Sequence, residues 1–491
     1  MNDRKGFGSN FGFLMAAVGS AVGLGNIWGF PNKMGANGGF PFLILYLALA
    51  LCCGVIIMLG ELALGRKTGH GAVGAYQSIS KRFKWLGWLG IAAAALIFSF
   101  YSALGGYCLR YVVVNFGNLI GAEFGTNGVG GADVFQGLLS QPDVSIAFAL
   151  AFMLITMLVV MSGVGGGIER VCSVGMPALF FILIICIIRS CTLPGAADGL
   201  KYMFVPGWAV ANGIIDEAPG FWKVLTAAGG QMFFSLSLGA GVMITYGSYL
   251  DKKQDLGKSA MIIVGMDTVV ALMAGLCVIP GRFALDPNGA LGGPELLFIT
   301  MQNVFDKMGP AGPVFGILFY LLVFFAAISS SISMLEVIVA HFCDKAREKG
   351  KGDRRKLYSA IAVVICAALC ALVCADGMGN NHISPAELLG LAGAKLPGWS
   401  TSWLGLFDSV AEGLLMPLGA LLMCLMISWE LKPDTLRQEI LLNGENRPWV
   451  YDFFRLCVQP AIAFDQSDAV RRSAADPRLA DEIRIACKGI R

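Results

Sequence analysis

Apolar stretches recur along the chain at 11–30, 40–63, 88–118, 145–162, 172–191, 223–249, 258–280, 313–342, 357–375 and 403–428, separated by short polar segments. A run of about 20 apolar residues is long enough to cross the hydrocarbon core of a bilayer as a helix. The pattern therefore predicts ten transmembrane helices. An eleventh candidate, 449–464, is short and carries Asp452, Arg455 and Pro460. Beyond it, 465–491 is polar with alternating charge and reads as a soluble tail.

The polar segments set an orientation, because cytoplasmic loops collect Lys and Arg. Arg4 and Lys5 precede the first span, and Arg66, Lys67, Lys81, Arg82 and Lys84 lie between the second and third. Lys252, Lys253 and Lys258 flank the sixth and seventh, and the segment Asp344–Lys356 holds seven basic residues. The segment Ile120–Asp143 has three acids and no base. All the basic loops fall on one side if the N-terminus is cytoplasmic.

Two spans break their own pattern. The first contains Gly19-Ser20-Ala21-Val22-Gly23-Leu24-Gly25-Asn26 at mid-membrane depth, and the sixth contains Ser235-Leu236-Ser237-Leu238-Gly239-Ala240-Gly241. Glycine costs roughly 1 kcal/mol against alanine inside a helix. Either cluster alone is compatible with close helix packing through small residues. The two lie five spans apart, however, at matching places in halves of about 11–191 and 223–428. Five is odd, so the halves run with opposite topology. Paired Gly-interrupted helices in inverted repeats point to a transporter's central site, where unwound carbonyls face a cation and helix N-termini face an anion.

Composition changes this picture little. Of 491 residues, 56% are hydrophobic and 14% charged, against about 25% charged in soluble proteins; the mean hydropathy is +0.69. A net charge of +3 with no basic stripe excludes a nucleic-acid footprint. The 14 cysteines are scattered through apolar stretches and read as small packing residues. With three histidines, and no nucleophile elbow or P-loop, an enzyme is disfavoured. The spans need a lipid bilayer as partner, short loops suggest a bacterial inner membrane, and an oligomer stays open.

The stretch Gly-Ser-Ala-Val-Gly-Leu-Gly-Asn-Ile-Trp-Gly-Phe-Pro (19–31) resembles the first-helix signature of the neurotransmitter:sodium symporters, among them bacterial sodium-dependent amino-acid transporters. Further similarity lies in Asn37-Gly-Gly, Glu61-Leu-Ala-Leu-Gly-Arg66, Gly167-Ile-Glu-Arg170, Gly230–Gly239 and Phe324–Ser331. It covers roughly 1–430, in order. The resemblance implies an all-α LeuT-type 5+5 inverted-repeat bundle of about 10–11 transmembrane helices with discontinuous helices 1 and 6, the remainder, 431–491, holding the weak eleventh span and the tail.

The same resemblance implies two sodium sites. One would use the Ala21 carbonyl, Asn26, Ser235, Asp267 and the substrate carboxylate; the other the carbonyls of Gly19, Val22 and Ala326 with the hydroxyls of Ser329 and Ser330. Both sets are oxygen-only, as a hard cation requires, although serines 329–331 alone could equally bond back to helix carbonyls. Relatives that need chloride carry a serine where this chain has Ala271, and an acid at 267 would supply the negative charge itself, so chloride independence is expected. Gly23 stands where monoamine carriers have aspartate, and Tyr101 matches a tyrosine that binds the substrate carboxylate. An α-amino acid is thus implied, bounded by Ala21, Gly23, Gly25, Ile97, Phe234, Ser235, Ser237, Ala240, Ser330 and Met334. That lining is uncharged and suits a neutral side chain, with Ala240 leaving room for a large one; some of these positions could be simple core packing.

The gates depart from the family. Relatives pair an arginine before Phe-Pro with an aspartate of the tenth helix; here the positions hold Gly29 and Asp408. Lys33, one helical turn beyond Gly29, is expected to partner Asp408. Arg4, Asp344 and Tyr249 match the inner gate, and Glu61 is expected to bond the broken helices. Besides a sodium symporter working by alternating access, two readings fit the same residues: a sodium-dependent sensor that binds an amino acid without moving it, and a proton-driven carrier of the same fold.

Overall fold

A computed structural model of the chain describes residues 6–126, 128–290, 293–352, 354–390, 400–431, 435–441 and 448–458. Its described residues are helical with no strand. Eight helices are long and apolar enough to cross a membrane: Phe40–Thr68, Leu86–Ile120, Pro142–Met161, Val164–Cys191, Leu256–Leu285, Gly309–Glu348, Arg355–Gly379 and Trp403–Trp429. These are the predicted second to fifth and seventh to tenth spans. The first is a bent pair, Asn10–Ala21 and Gly25–Ala36, with 42° between the pieces. The sixth is divided into Phe221–Ser235 and Val242–Gly247. Both spans expected to break do so.

Apolar faces tell lipid from core. On the fifth span Val174, Phe181 and Ile188 are 70%, 67% and 59% exposed. Their seven-residue spacing makes one stripe along the helix, the face a bilayer would cover. Opposite it Cys172, Met176, Leu179 and Leu183 are buried against the first span. Lipid is as apolar as leucine, so helices here associate through close van der Waals packing and polar contacts. The third and eighth spans form the longest such seam, and the first span lies between the fifth, seventh and eighth.

Polar groups inside this apolar mass are paired. Arg66, at the inner end of the second span, bonds the Glu439 carboxylate (2.9 Å) and main-chain carbonyls of Glu439 and Gln254. That joins the second span to the short helix Arg437–Ile440. Glu336 is fully buried and accepts from Arg355 and from the Tyr249 hydroxyl. An unpaired buried charge would cost several kcal/mol, so these clusters fix how the inner ends of four spans meet.

One boundary differs from the sequence reading. The first span continues to Ala36, because Pro31 sits at the start of its outer piece, where a proline needs no N–H partner. At the other end, Pro448–Val458 is a helix of 11 residues, about 16 Å at 1.5 Å per residue. It reaches the limit of the described residues; 459–464 and the tail lie outside them.

Candidate functional site

The two interruptions face each other. The inner piece of the first span ends at Ala21; Val22 turns extended (φ −76°, ψ 101°), and a wide π turn begins at Gly25. The sixth span leaves helical geometry at Leu236 and resumes at Val242, with Ser237 at φ +53°. A non-glycine residue with positive φ is uncommon and strained by roughly 1 kcal/mol or more. Ser237 is held there by donating its hydroxyl to the Ser20 carbonyl (3.2 Å), which ties one break to the other. Gly239 (φ +80°) sits so close to the Met416 carbonyl that no Cβ fits, and its N–H donates to Glu61 Oε1 (2.6 Å). Glu61 therefore bonds the sixth break, from the second span.

The first predicted ion set gathers around a carboxylate. Asp267 is fully buried and accepts from Asn26 Nδ2 (2.7 Å to Oδ1), from Ser235 Oγ (2.9 and 3.0 Å) and from the Tyr46 hydroxyl (3.1 Å). Asn26 also donates to the Asp267 carbonyl and accepts from Gly23 N–H (3.0 Å). Ala21 ends the helix directly before these groups. Ala271, one turn beyond Asp267, is buried.

The second set is brought together as directly. Ser329 Oγ lies 3.4 Å from the Val22 carbonyl oxygen and 3.0 Å from that of Ala326. Ser330 Oγ lies 3.4 Å from the Gly19 carbonyl and 3.5 Å from that of Val22. Five oxygens from the first and eighth spans thus converge in a buried spot. Carbonyl and hydroxyl oxygens without thiol or imidazole suit a small hard cation. Ser330 also reaches the Ser20 carbonyl (3.1 Å).

Between the two sets lie the predicted substrate residues. The Leu24 N–H donates to the Tyr101 hydroxyl (2.8 Å), joining the third span to the first break. A Cβ at Gly23 would run into the Ser330 hydroxyl and stand 2.6 Å from the Tyr101 oxygen. Glycine leaves open the approach between those two hydroxyls. Gly25 faces the Phe234 ring and the Ser235 backbone. Phe234 is 7% exposed, and Ile97, Ala240 and Met334 are also buried. The surroundings are apolar, with hydroxyls and peptide groups at one end.

Above Phe234 the sequence expectation needs correcting. Lys33 makes its direct ion pair with Glu412 and faces Asp408 only electrostatically, and its ammonium lies 6.0 Å from the centre of the Phe234 ring. Asp408 sits on the same helix beside Glu412. The tenth span makes a π turn at Ala411–Leu415, which rotates the following residues relative to an α-helical reading. Gly29 is filled by Gln231, whose Oε1 would lie 2.9 Å from a Cβ there while Nε2 donates to the Gly25 carbonyl (2.6 Å). Below, Tyr249 bonds Glu336 (2.5 Å), and Asp344 accepts from Gly71 N–H (3.2 Å) and approaches Arg347 (3.9 Å). The expected inner-gate residue Arg4 lies outside the described residues.

Tyr46, Gln231 and Glu412 were not singled out from the sequence. Glu412 and Gln231 carried a signal: each is a polar residue in an apolar run, which by default marks function. Tyr46 carried none, since tyrosines in spans are common.

Comparison with known proteins follows the same lines. The model of the sodium:neurotransmitter symporter family matches residues 4–127 and 132–466. The sodium-dependent transporter YhdH of Bacillus subtilis (strain 168) is 37% identical over 91% of this chain and 93% of its own length. A sodium-dependent transporter of Methanocaldococcus jannaschii is 30% identical over 89% of this chain and 84% of its own. The crystal structure of MhsT in complex with L-phenylalanine superposes with a TM-score of 0.78 at 34% identity, covering 93% of this chain and 96% of that one. With its two interrupted spans and the oxygen-lined clusters between them, this chain, a sodium-dependent transporter and not an enzyme, belongs to the sodium:neurotransmitter symporter family.

Proposed function

We propose that the chain carries a neutral, large hydrophobic or aromatic α-amino acid into the cell together with sodium, at two ion sites and without chloride. The observation that carries this reading is the buried Asp267 carboxylate shared by Asn26 and Ser235 at the two helix breaks. A buried carboxylate needs a compensating charge, and a sodium ion beside it would supply one. A substrate carboxylate at Tyr101 and the Gly23–Gly25 backbone would complete that ion's ligands. The second ion would sit among Gly19, Val22, Ala326, Ser329 and Ser330. The apolar surroundings of Phe234, Ile97, Ala240 and Met334 favour a neutral side chain, and MhsT, bound to L-phenylalanine in its crystal structure, agrees with that size and class.

The first span joins the eighth at one ion set and the seventh at the other, so each ion would fasten the substrate-bound arrangement. Sodium then raises substrate affinity, and substrate raises sodium affinity by the same factor. Alternating access would follow as the broken spans rock against the third and eighth, with Lys33 and Glu412 closing the outer side. The distribution of basic loops supports a cytoplasmic N-terminus in a bacterial inner membrane.

Uptake of radiolabelled tryptophan, tyrosine, phenylalanine and leucine into proteoliposomes tests the reading, with an inward sodium gradient or with choline in its place. Accumulation with sodium alone is expected. Sodium-dependent binding without accumulation would overturn it in favour of a sensor, and accumulation driven by a proton gradient in choline would overturn the sodium coupling.

A further inference from the structure

The molecule has a second polar feature at membrane depth, remote from the helix breaks. A cavity of about 400 Å³ opens between the outer part of the third span, the start of the fourth and the short helix Gly131–Leu139. Arg110 lines it. Arg110 lies nine residues beyond Tyr101 on one continuous helix, about 14 Å further along at 1.5 Å per residue. Tyr101 touches the first-span break, which belongs near the bilayer centre. Half the hydrocarbon thickness is about 15 Å, so Arg110 sits where acyl chains give way to phosphates. With a cytoplasmic N-terminus this is the outward-facing leaflet, against the usual placement of basic residues.

Arg110 has no partner that explains it. It makes no hydrogen bond or ion pair with another described residue, and its guanidinium carbon lies 5.9 Å from the centre of the Phe148 ring. At that depth a half-buried arginine meets the phosphates of the lipid headgroups. Its planar fork matches the oxygens of a phosphate. Tyr111 also lines the cavity and has a buried hydroxyl without a hydrogen-bond partner among the described residues. The remaining wall is largely apolar, including Val114, Val144 and Phe148. On the helix Gly131–Leu139, Asp133 lines the same cavity without pairing to Arg110. A cationic, anion-binding group and an acid lining the same cavity, with apolar walls, form the negative image of a zwitterionic headgroup.

We propose that this cavity binds a phospholipid carrying a primary amine, of the phosphatidylethanolamine class. Arg110 takes the phosphodiester and Asp133 the ammonium, with Phe148 beside the guanidinium where the glycerol begins. Bound lipid would fasten the third span to the fourth on the scaffold side, away from the transported substrate.

Native mass spectrometry of the delipidated full chain tests this, with added phosphatidylethanolamine, phosphatidylglycerol or phosphatidylcholine. Wild-type protein is expected to retain phosphatidylethanolamine several-fold more than the other two. Arg110→Gln should lower that retention to background, Arg110→Lys should keep part of it, and Asp133→Asn should abolish only the preference between headgroups. Each variant is checked for sodium-dependent substrate binding, which a local lipid site leaves intact. Equal retention by Arg110→Gln would overturn the proposal. So would a rise in melting temperature given by inorganic phosphate or glycerophosphoethanolamine as large as that given by the lipid, which would assign a soluble anion instead. No preference for the amine headgroup in wild type would overturn the role of Asp133.

Discussion

At Gly23 the distance to the nearest oxygen decides what the site can hold. The space a Cβ would fill lies against the Ser330 and Tyr101 hydroxyls, so Gly23→Ala is expected to weaken substrate binding while the protein stays folded. Overpacking of this kind costs typically about 1–3 kcal/mol; an unchanged KM in uptake would remove Gly23 from the pocket. Asp267→Asn keeps the shape and removes the charge. The apparent sodium affinity should fall at least about tenfold, about 1.4 kcal/mol, read from the sodium dependence of uptake. Ser329→Ala should do the same at the second cluster with substrate contacts unaltered; wild-type sodium dependence in that variant would take Ser329 out of an ion site. The resemblance to the symporter family singled out these residues, an acid, an amide and paired hydroxyls amid apolar helix, and the structure brings them together at the two breaks. The partner of Lys33 was not legible, because a long flexible side chain can reach more than one acid on the facing helix.

The breaks in the first and sixth spans were readable as elements, since glycine and serine clusters weaken a helix where a bilayer gives the backbone no other partner. The π turn at Ala411–Leu415 was not. Nothing in Ala-Glu-Gly-Leu-Leu distinguishes it from α-helix, and Glu412, the partner of Lys33, lies within it. Each single change, Lys33→Glu or Glu412→Lys, is expected to slow uptake, and the double exchange should recover much of it. A partly exposed pair is worth about 0–1 kcal/mol, so the single changes should act on rate more than on folding. If the double variant is as slow as the worse single one, the pair does not act as a gate.

Over the whole molecule, the apolar runs were legible as membrane-crossing helices, eight of them continuous and the first a bent pair, because a bilayer constrains their length strongly. The end of the chain was less so. Charge and a proline inside 449–464 weakened the eleventh span, and of that stretch the helix Pro448–Val458 is described, with 459–464 outside the described residues. Replacing chloride by gluconate is expected to leave sodium-driven uptake unchanged if, as proposed, the Asp267 carboxylate supplies the negative charge beside the ion; loss of uptake would assign chloride a role.

Lys33 and Glu412 form an ion pair whose side chains are 23% and 12% exposed. A pair that reaches solvent feels the electrolyte, and the Debye length shortens from about 10 Å at 0.1 M to about 3 Å at 1 M. External sodium chloride would thus act on this carrier twice, once as the coupled cation and once as ionic strength that loosens the outer closure. A sodium titration at constant ionic strength, balanced with choline chloride, should therefore give a different curve from one in which total salt rises, and the difference should vanish when both side chains are made neutral.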